Sequence, residues 1–186
     1  MGIFDIFKKK KEEPKNGKVE IRILEQPDFT QIDIEKLQDY YDWTLNYGER
    51  KLNLDLNFET ESTNQSELDQ IIEFTKKIPE FDNQNRNYIK SDFGQNVSMT
   101  SDYLNFYLEE LDESELGEII DLQNQKKSRT SLLLEQLNLI RVGIYPQASY
   151  FATFDYSIDI EGEPCNQLLV VNINKDGTLD NITWES

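Results

Sequence analysis

Three aspartates are the residues of this sequence best placed to do chemistry: Asp55, Asp155 and Asp159. Each falls on a polar position of a segment that alternates apolar and polar residues, as a β-strand with one dry and one polar face does. Carboxylates gathered on one sheet face can hold Mg²⁺ or act as a general acid and base. The pattern therefore predicts a carboxylate-metal enzyme or a small-ligand-binding protein that uses the polar sheet face. A solvated sheet face produces the same alternation, so both interpretations stay open.

A second candidate site lies on a helix predicted over residues 101–111. Four apolar residues at helical spacing mark its core face: Leu104, Tyr107, Leu108 and Leu111. At helical rotation Phe106 points about 150° away from that stripe, and Tyr103 flanks it. Three carboxylates surround the ring: Asp102, Glu109 and Glu110. An exposed aromatic ring inside an acidic rim is typical of a hot spot for a basic protein partner. Alternatively, a helix predicted over 113–123 covers Phe106 and makes it a core residue.

The sequence lacks the residues that other common catalytic and metal-binding sites require. The chain has no histidine, the usual general base and zinc ligand, and its single cysteine, Cys165, cannot form an intramolecular disulfide. We find no P-loop, dinucleotide fingerprint, nucleophile elbow or kinase motif, and so expect no cofactor and favour a protein that is not an enzyme, with the carboxylate-metal enzyme as the open alternative. No apolar run approaches the ~20 residues of a membrane-spanning helix.

The net charge of −17 is unevenly distributed. Residues 1–18 carry six lysines against three acids, which gives +3 and leaves −20 for residues 19–186. A body of that sign repels nucleic-acid phosphates and favours a basic protein partner. Such a charge also serves solubility alone, and that interpretation stays open.

The length of 186 residues fits one domain preceded by a short tail. We predict a basic, mobile tail over residues 1–17, with a weak contact to an anionic membrane surface as its one proposed role. Residues 18–186 are predicted to form a single acidic domain in the cytoplasm.

Strand patterns flank a helical middle. We predict a short strand over 19–23 and a hairpin over 41–59, then helices that begin at a Ser66 cap, end before Pro79 and include part of 81–94. Further helices follow to residue 137, and strands return over 139–184. Strands, then helices, then strands indicate the α+β class. We expect an antiparallel sheet of about five or six strands, with the helices of the middle packed on one face.

Several segments resemble a bacterial family catalogued as domain of unknown function 2004. They are residues 48–59 (GERKLNLDLNFE), 141–146 (RVGIYP), 154–158 (FDYSI), 167–171 (QLLVV), 176–177 (DG) and 184–186 (WES). The resemblance implies a small, acidic, cytoplasmic bacterial protein, and it carries over no catalytic residue. Together with the charge it suggests an uncharacterised acidic protein-binding module, such as an immunity protein that neutralises a basic toxin.

Overall fold

The computed structural model describes residues 22–186 and places their helices between two groups of strands. A short 3-10 helix (Phe29–Gln31) precedes the strands β1 (Tyr40–Tyr47) and β2 (Arg50–Asn57). Five helices follow: α1 (Gln65–Lys76), α2 (Ile78–Phe93), α3 (Met99–Glu110), α4 (Glu113–Ile119) and α5 (Arg129–Leu134). Six strands complete the chain: β3 (Asn138–Ile144), β4 (Ala152–Ser157), β5 (Asp159–Ile160), β6 (Glu163–Pro164), β7 (Leu168–Ile173) and β8 (Leu179–Glu185).

Six of the strands form one sheet in the order β1-β2-β3-β4-β7-β8, which confirms the predicted α+β class and strand number. Every neighbouring pair is antiparallel except β2 and β3, which run parallel through four paired positions. The parallel pair arises because the five helices connect β2 to β3, and a parallel pairing needs such a long crossover. The β5-β6 pair is a separate small hairpin.

The helix boundaries correct two details of the prediction and confirm a third. Asn64, not Ser66, caps α1, because the Asn64 side chain accepts a hydrogen bond from the backbone N–H of Glu67. α1 ends at Lys76, before Pro79 as predicted, and Pro79 lies in the first turn of the next helix, α2, where a missing N–H costs nothing. The whole of 81–93, predicted to be only partly helical, belongs to α2.

The predicted N-terminal elements fall largely outside the described residues. The tail over 1–17 and most of the strand over 19–23 lie there. Within the described part of that strand, Arg22 and Ile23 are not in strand conformation. Among the described residues, Leu24 is the first to pair with the sheet, through a single antiparallel bridge with Tyr47.

One face of the sheet carries the hydrophobic core. Leu54, Val142, Phe154 and Val171 lie in register across four strands, and they belong to one buried cluster with apolar residues of the helices. The opposite face carries the polar residues of the same strands, and Thr44, Asn53 and Asn181 are exposed on it. We call this opposite side the open face. None of the helices in residues 22–186 is both long and apolar enough to cross a membrane.

A buried carboxylate connects α2 to the covered face. Asp82 is 1% exposed and accepts hydrogen bonds from the hydroxyls of Tyr47 (2.8 Å) and Tyr156 (2.9 Å). Arg86 Nε donates at 3.0 Å to Oδ1, the oxygen that also accepts from Tyr156, and Arg22 Nη1 lies 3.5 Å from Oδ2. Asp82 therefore joins β1, β4 and α2 inside the core, and nothing in its sequence context predicted this.

Candidate functional site

The centre of the open face is an arginine that lies across three strands. Arg141 on β3 is paired in register with Asn53 of β2 on one side and Asp155 of β4 on the other. Its side chain runs along β3 above Gly143, where an added Cβ would lie 2.8 Å from Arg141 Nη2. Because Gly143 has no side chain, the Arg141 guanidinium can lie against the sheet at this position.

Two of the predicted metal-binding aspartates hold this guanidinium. Arg141 Nε and Nη2 donate to the two carboxylate oxygens of Asp55 at 2.6 and 2.9 Å, and Nη1 donates to Asp155 at 2.8 Å. Nη2 also donates to the hydroxyl of Tyr145 at 2.8 Å, and Asn57 donates to Asp55 at 2.7 Å. Four of the five guanidinium N–H groups thus have partners.

Burial and charge oppose each other in this network. Asp55 and Asp155 are 2% and 3% exposed. Burial raises the pKa of Asp155, against the opposing effect of the Arg141 guanidinium. Burial lowers the pKa of Arg141, but its hydrogen bonds to Asp155, Asp55 and Tyr145 outweigh burial and raise that pKa overall. Each of the two buried carboxylates therefore lies within hydrogen-bond distance of the same guanidinium.

This geometry corrects the predicted metal site. Asp55 and Asp155 do converge, but a guanidinium occupies the position between them that a cation would need. Asp159 lies elsewhere, because the chain leaves the six-stranded sheet after Ser157 and β5 pairs with β6 instead. There Asp159 accepts from Arg50 Nη2 at 2.6 and 2.8 Å. Among residues 22–186 no three acidic or cysteine side chains are grouped to hold a metal.

The second predicted site, on α3, is only partly as expected. The buried side of α3 consists of Thr100, Tyr103, Leu104 and Tyr107, while Leu108 and Leu111 are half-buried. Tyr103, predicted to flank an exposed ring, is fully buried. The reason is β8: the Tyr103 ring packs edge-on against Trp184 at 6.3 Å, and its hydroxyl donates to the Gln167 carbonyl.

Phe106 lies at the edge of this aromatic cluster. Its ring is half-buried, 5.3 Å from the ring of Trp184 and 5.5 Å from that of Tyr107. Trp184 is also half-buried, and its indole N–H donates to Gln167 Oε1 at 2.7 Å. The Phe106 ring is therefore partly covered by Trp184 of β8 and partly exposed to solvent.

Three carboxylates that have no cationic partner among residues 22–186 flank this aromatic pair. Asp102 is four residues before Phe106, and Glu109 and Glu110 are three and four residues after it, so all three lie beside the ring on α3. All three are exposed and none forms an ion pair within the described chain. The sequence has no lysine or arginine between Lys90 and Lys126. We call Phe106, Trp184, Asp102, Glu109 and Glu110 the acidic aromatic surface.

Comparisons with protein-family models, with curated proteins and with solved structures found no match to this chain. The resemblance to family 2004 stays a prediction.

Four buried tyrosines make stability depend on alkaline pH. Burial is the largest cause that raises the pKa of Tyr103 to about 12, and it also raises the pKa values of Tyr47, Tyr107 and Tyr156. The folded state therefore holds the phenolic protons more tightly than the unfolded chain, in which tyrosine ionises near pH 10. The contribution of these four tyrosines to the free energy of unfolding is complete below pH 10, and it is lost as the pH rises through their folded-state pKa values.

We expect the free energy of unfolding to fall by about 1 kcal/mol for each such tyrosine by pH 11. Urea denaturation between pH 8 and 11.5 measures the fall, and Tyr107→Phe should make it shallower. A free energy of unfolding that stays constant over this range contradicts the burial of these hydroxyls.

Proposed function

We propose that this protein is a protein-binding module that holds a basic partner on the acidic aromatic surface. The observation that carries the proposal is the half-buried Phe106–Trp184 pair beside three carboxylates that form no ion pair with any residue from 22 to 186. An immunity protein that neutralises a basic toxin is the specific form we propose, and the net charge of −17 supports it through charge complementarity.

In this proposal the Phe106–Trp184 pair supplies binding energy, and the carboxylates raise the association rate. An exposed ion pair contributes only about 0–1 kcal/mol, so the carboxylates alone cannot supply high affinity. Aromatic side chains at the centre of an interface supply most of the binding energy once water is excluded from them. The carboxylates raise the association rate instead, toward roughly 10⁸–10⁹ M⁻¹s⁻¹ at low salt, because they attract a basic partner before contact.

The hydrogen bonds on the open face favour the acidic aromatic surface as the site over the alternative, a carboxylate-metal enzyme. The Arg141 network uses both aspartates internally, so it offers no free carboxylate pair for acid–base work. The acidic aromatic surface, by contrast, holds carboxylates that no described cation compensates.

Replacing Phe106 with Ala should separate binding from folding. We expect a loss of about 1–2 kcal/mol in the free energy of unfolding, less than the ~3–5 kcal/mol of a core phenylalanine, because the ring is only half-buried. We expect the affinity for the basic partner to fall by about 2 kcal/mol or more, mainly through faster dissociation.

The measurements are urea denaturation and surface plasmon resonance against the partner. Phe93→Ala, at another half-buried phenylalanine that belongs to α2 and not to α3, is the matched control and should change stability without weakening binding. Equal affinities of Phe106→Ala and wild type would contradict the proposed site.

A further inference from the structure

Three cations of this acidic chain line one cavity between α2 and α5. The cavity has a volume of about 520 Å³, within the ~300–1,000 Å³ of small-molecule sites. Its charged and hydroxyl-bearing lining consists of Arg86, Lys90, Lys127, Ser131 and Glu135. The described residues contain 13 lysines and arginines, so a cavity with three of them is locally positive in a protein of net charge −17.

The rest of the lining is apolar. Ile89 of α2 and Leu137, which follows α5, are buried, and Leu134 of α5 is half-buried beside them. A ligand that fills the cavity therefore needs an apolar body as well as a charged group, because burying an ion alone against these side chains costs its hydration.

The three cationic side chains of the cavity differ in the ion pairs and hydrogen bonds that they form with other residues of the protein. Lys127 is paired with Glu135 at the cavity wall. Arg86 donates through Nε to Asp82 and through Nη1 to the Leu137 carbonyl at 3.0 Å, while its Nη2 has no hydrogen-bond partner among the described residues. Lys90 forms no ion pair with any residue from 22 to 186. Within residues 22–186, the cavity thus offers one ammonium without an ion pair, beside a guanidinium whose Nη2 is buried and has no hydrogen-bond partner.

We propose that this cavity binds a small organic carboxylate with an apolar body. Lys90 and Arg86 face the carboxylate, and Ile89, Leu134 and Leu137 contact the hydrocarbon. A single negative charge fits better than two, since Glu135 in the wall repels a second one. This site is separate from the acidic aromatic surface and does not depend on the proposed protein partner.

Octanoate is the probe, and octan-1-ol is its uncharged match. Titration of the ¹⁵N-labelled protein should shift amide signals of α2 and α5 saturably, with a Kd of roughly 1 mM. Octan-1-ol should bind at least about fivefold more weakly, because it lacks the charge that Lys90 and Arg86 recognise.

Two variants locate the site. Lys90→Met should weaken octanoate binding about tenfold, whereas Lys36→Met, at an exposed lysine distant in sequence and likewise without an ion pair, should leave it unchanged. Leu134→Trp fills the cavity at a half-buried position and should abolish binding while the protein stays folded, as circular dichroism would show. Absence of saturable shifts, equal binding of octan-1-ol, or an unchanged Kd in Lys90→Met would each overturn the proposal.

Discussion

Replacing Arg141 with Met should lower the free energy of unfolding by about 3–5 kcal/mol, because it leaves two buried carboxylates without their cation. The effect is large for a second reason. β2 and β3 join the N-terminal hairpin to the rest of the sheet through only four paired positions, and the Arg141–Asp55 ion pair crosses this junction. Urea denaturation followed by circular dichroism measures the loss.

Two comparisons show whether the ion pairs are responsible. Lys51→Met removes an exposed charge from the same face and should change stability by less than about 0.5 kcal/mol. The triple variant Arg141→Met, Asp55→Leu, Asp155→Leu should recover most of the loss, because buried ion pairs replaced together by apolar residues cost little. If Arg141→Met alone stays within about 1 kcal/mol of wild type, the network is not what holds this junction.

Replacing Asp82 with Ala should have an effect of similar size, about 3–5 kcal/mol. The change leaves two tyrosine hydroxyls and the Arg86 guanidinium without their shared acceptor in the core. Removing one hydroxyl should cost only about 1 kcal/mol, since Tyr47→Phe leaves the other bonds to Asp82 in place.

Asp69→Ala is the control for Asp82→Ala, because Asp69 lies exposed on α1 and Gln65 is its one side-chain donor within residues 22–186. Chemical denaturation of the three variants and the wild type gives the comparison. Equal losses in Asp69→Ala and Asp82→Ala would contradict the central position of Asp82.

The predictable parts of this fold are those set by local periodicity. The alternation of Leu52, Leu54 and Leu56 against polar residues marks β2 and the direction of its dry face, both of which the structure contains. The helical middle and the strand number follow from the same kind of pattern. The residue that caps a helix is less predictable. Asn64 and Ser66 are both good N-caps, so residue type alone does not show that Asn64 caps α1.

The errors arise where tertiary neighbours decide. The apolar spacing on α3 points to a core face centred on Leu104 and Leu108, but Trp184 of β8 rotates the buried side toward Tyr103. The alternation places Asp55, Asp155 and Asp159 on polar positions, and the structure brings only the first two together on the open face. The sequence could not show that Arg141 lies between them, since that depends on the parallel pairing of β2 with β3. A lone arginine two residues before a glycine in an apolar strand was the available signal.

The most direct test of the proposed function is differential capture from cells of the native organism. Two variants of equal net charge are compared with the wild type. One neutralises the acidic aromatic surface (Asp102→Asn, Glu109→Gln, Glu110→Gln), and the other neutralises three exposed glutamates elsewhere (Glu35→Gln, Glu61→Gln, Glu80→Gln). Quantitative mass spectrometry at low and high salt then compares what each protein recovers. We expect a basic protein that the wild type and the second variant recover equally at low salt, and that the first variant recovers several-fold less. Equal recovery by both variants, or recovery of no basic protein, would contradict binding at this surface.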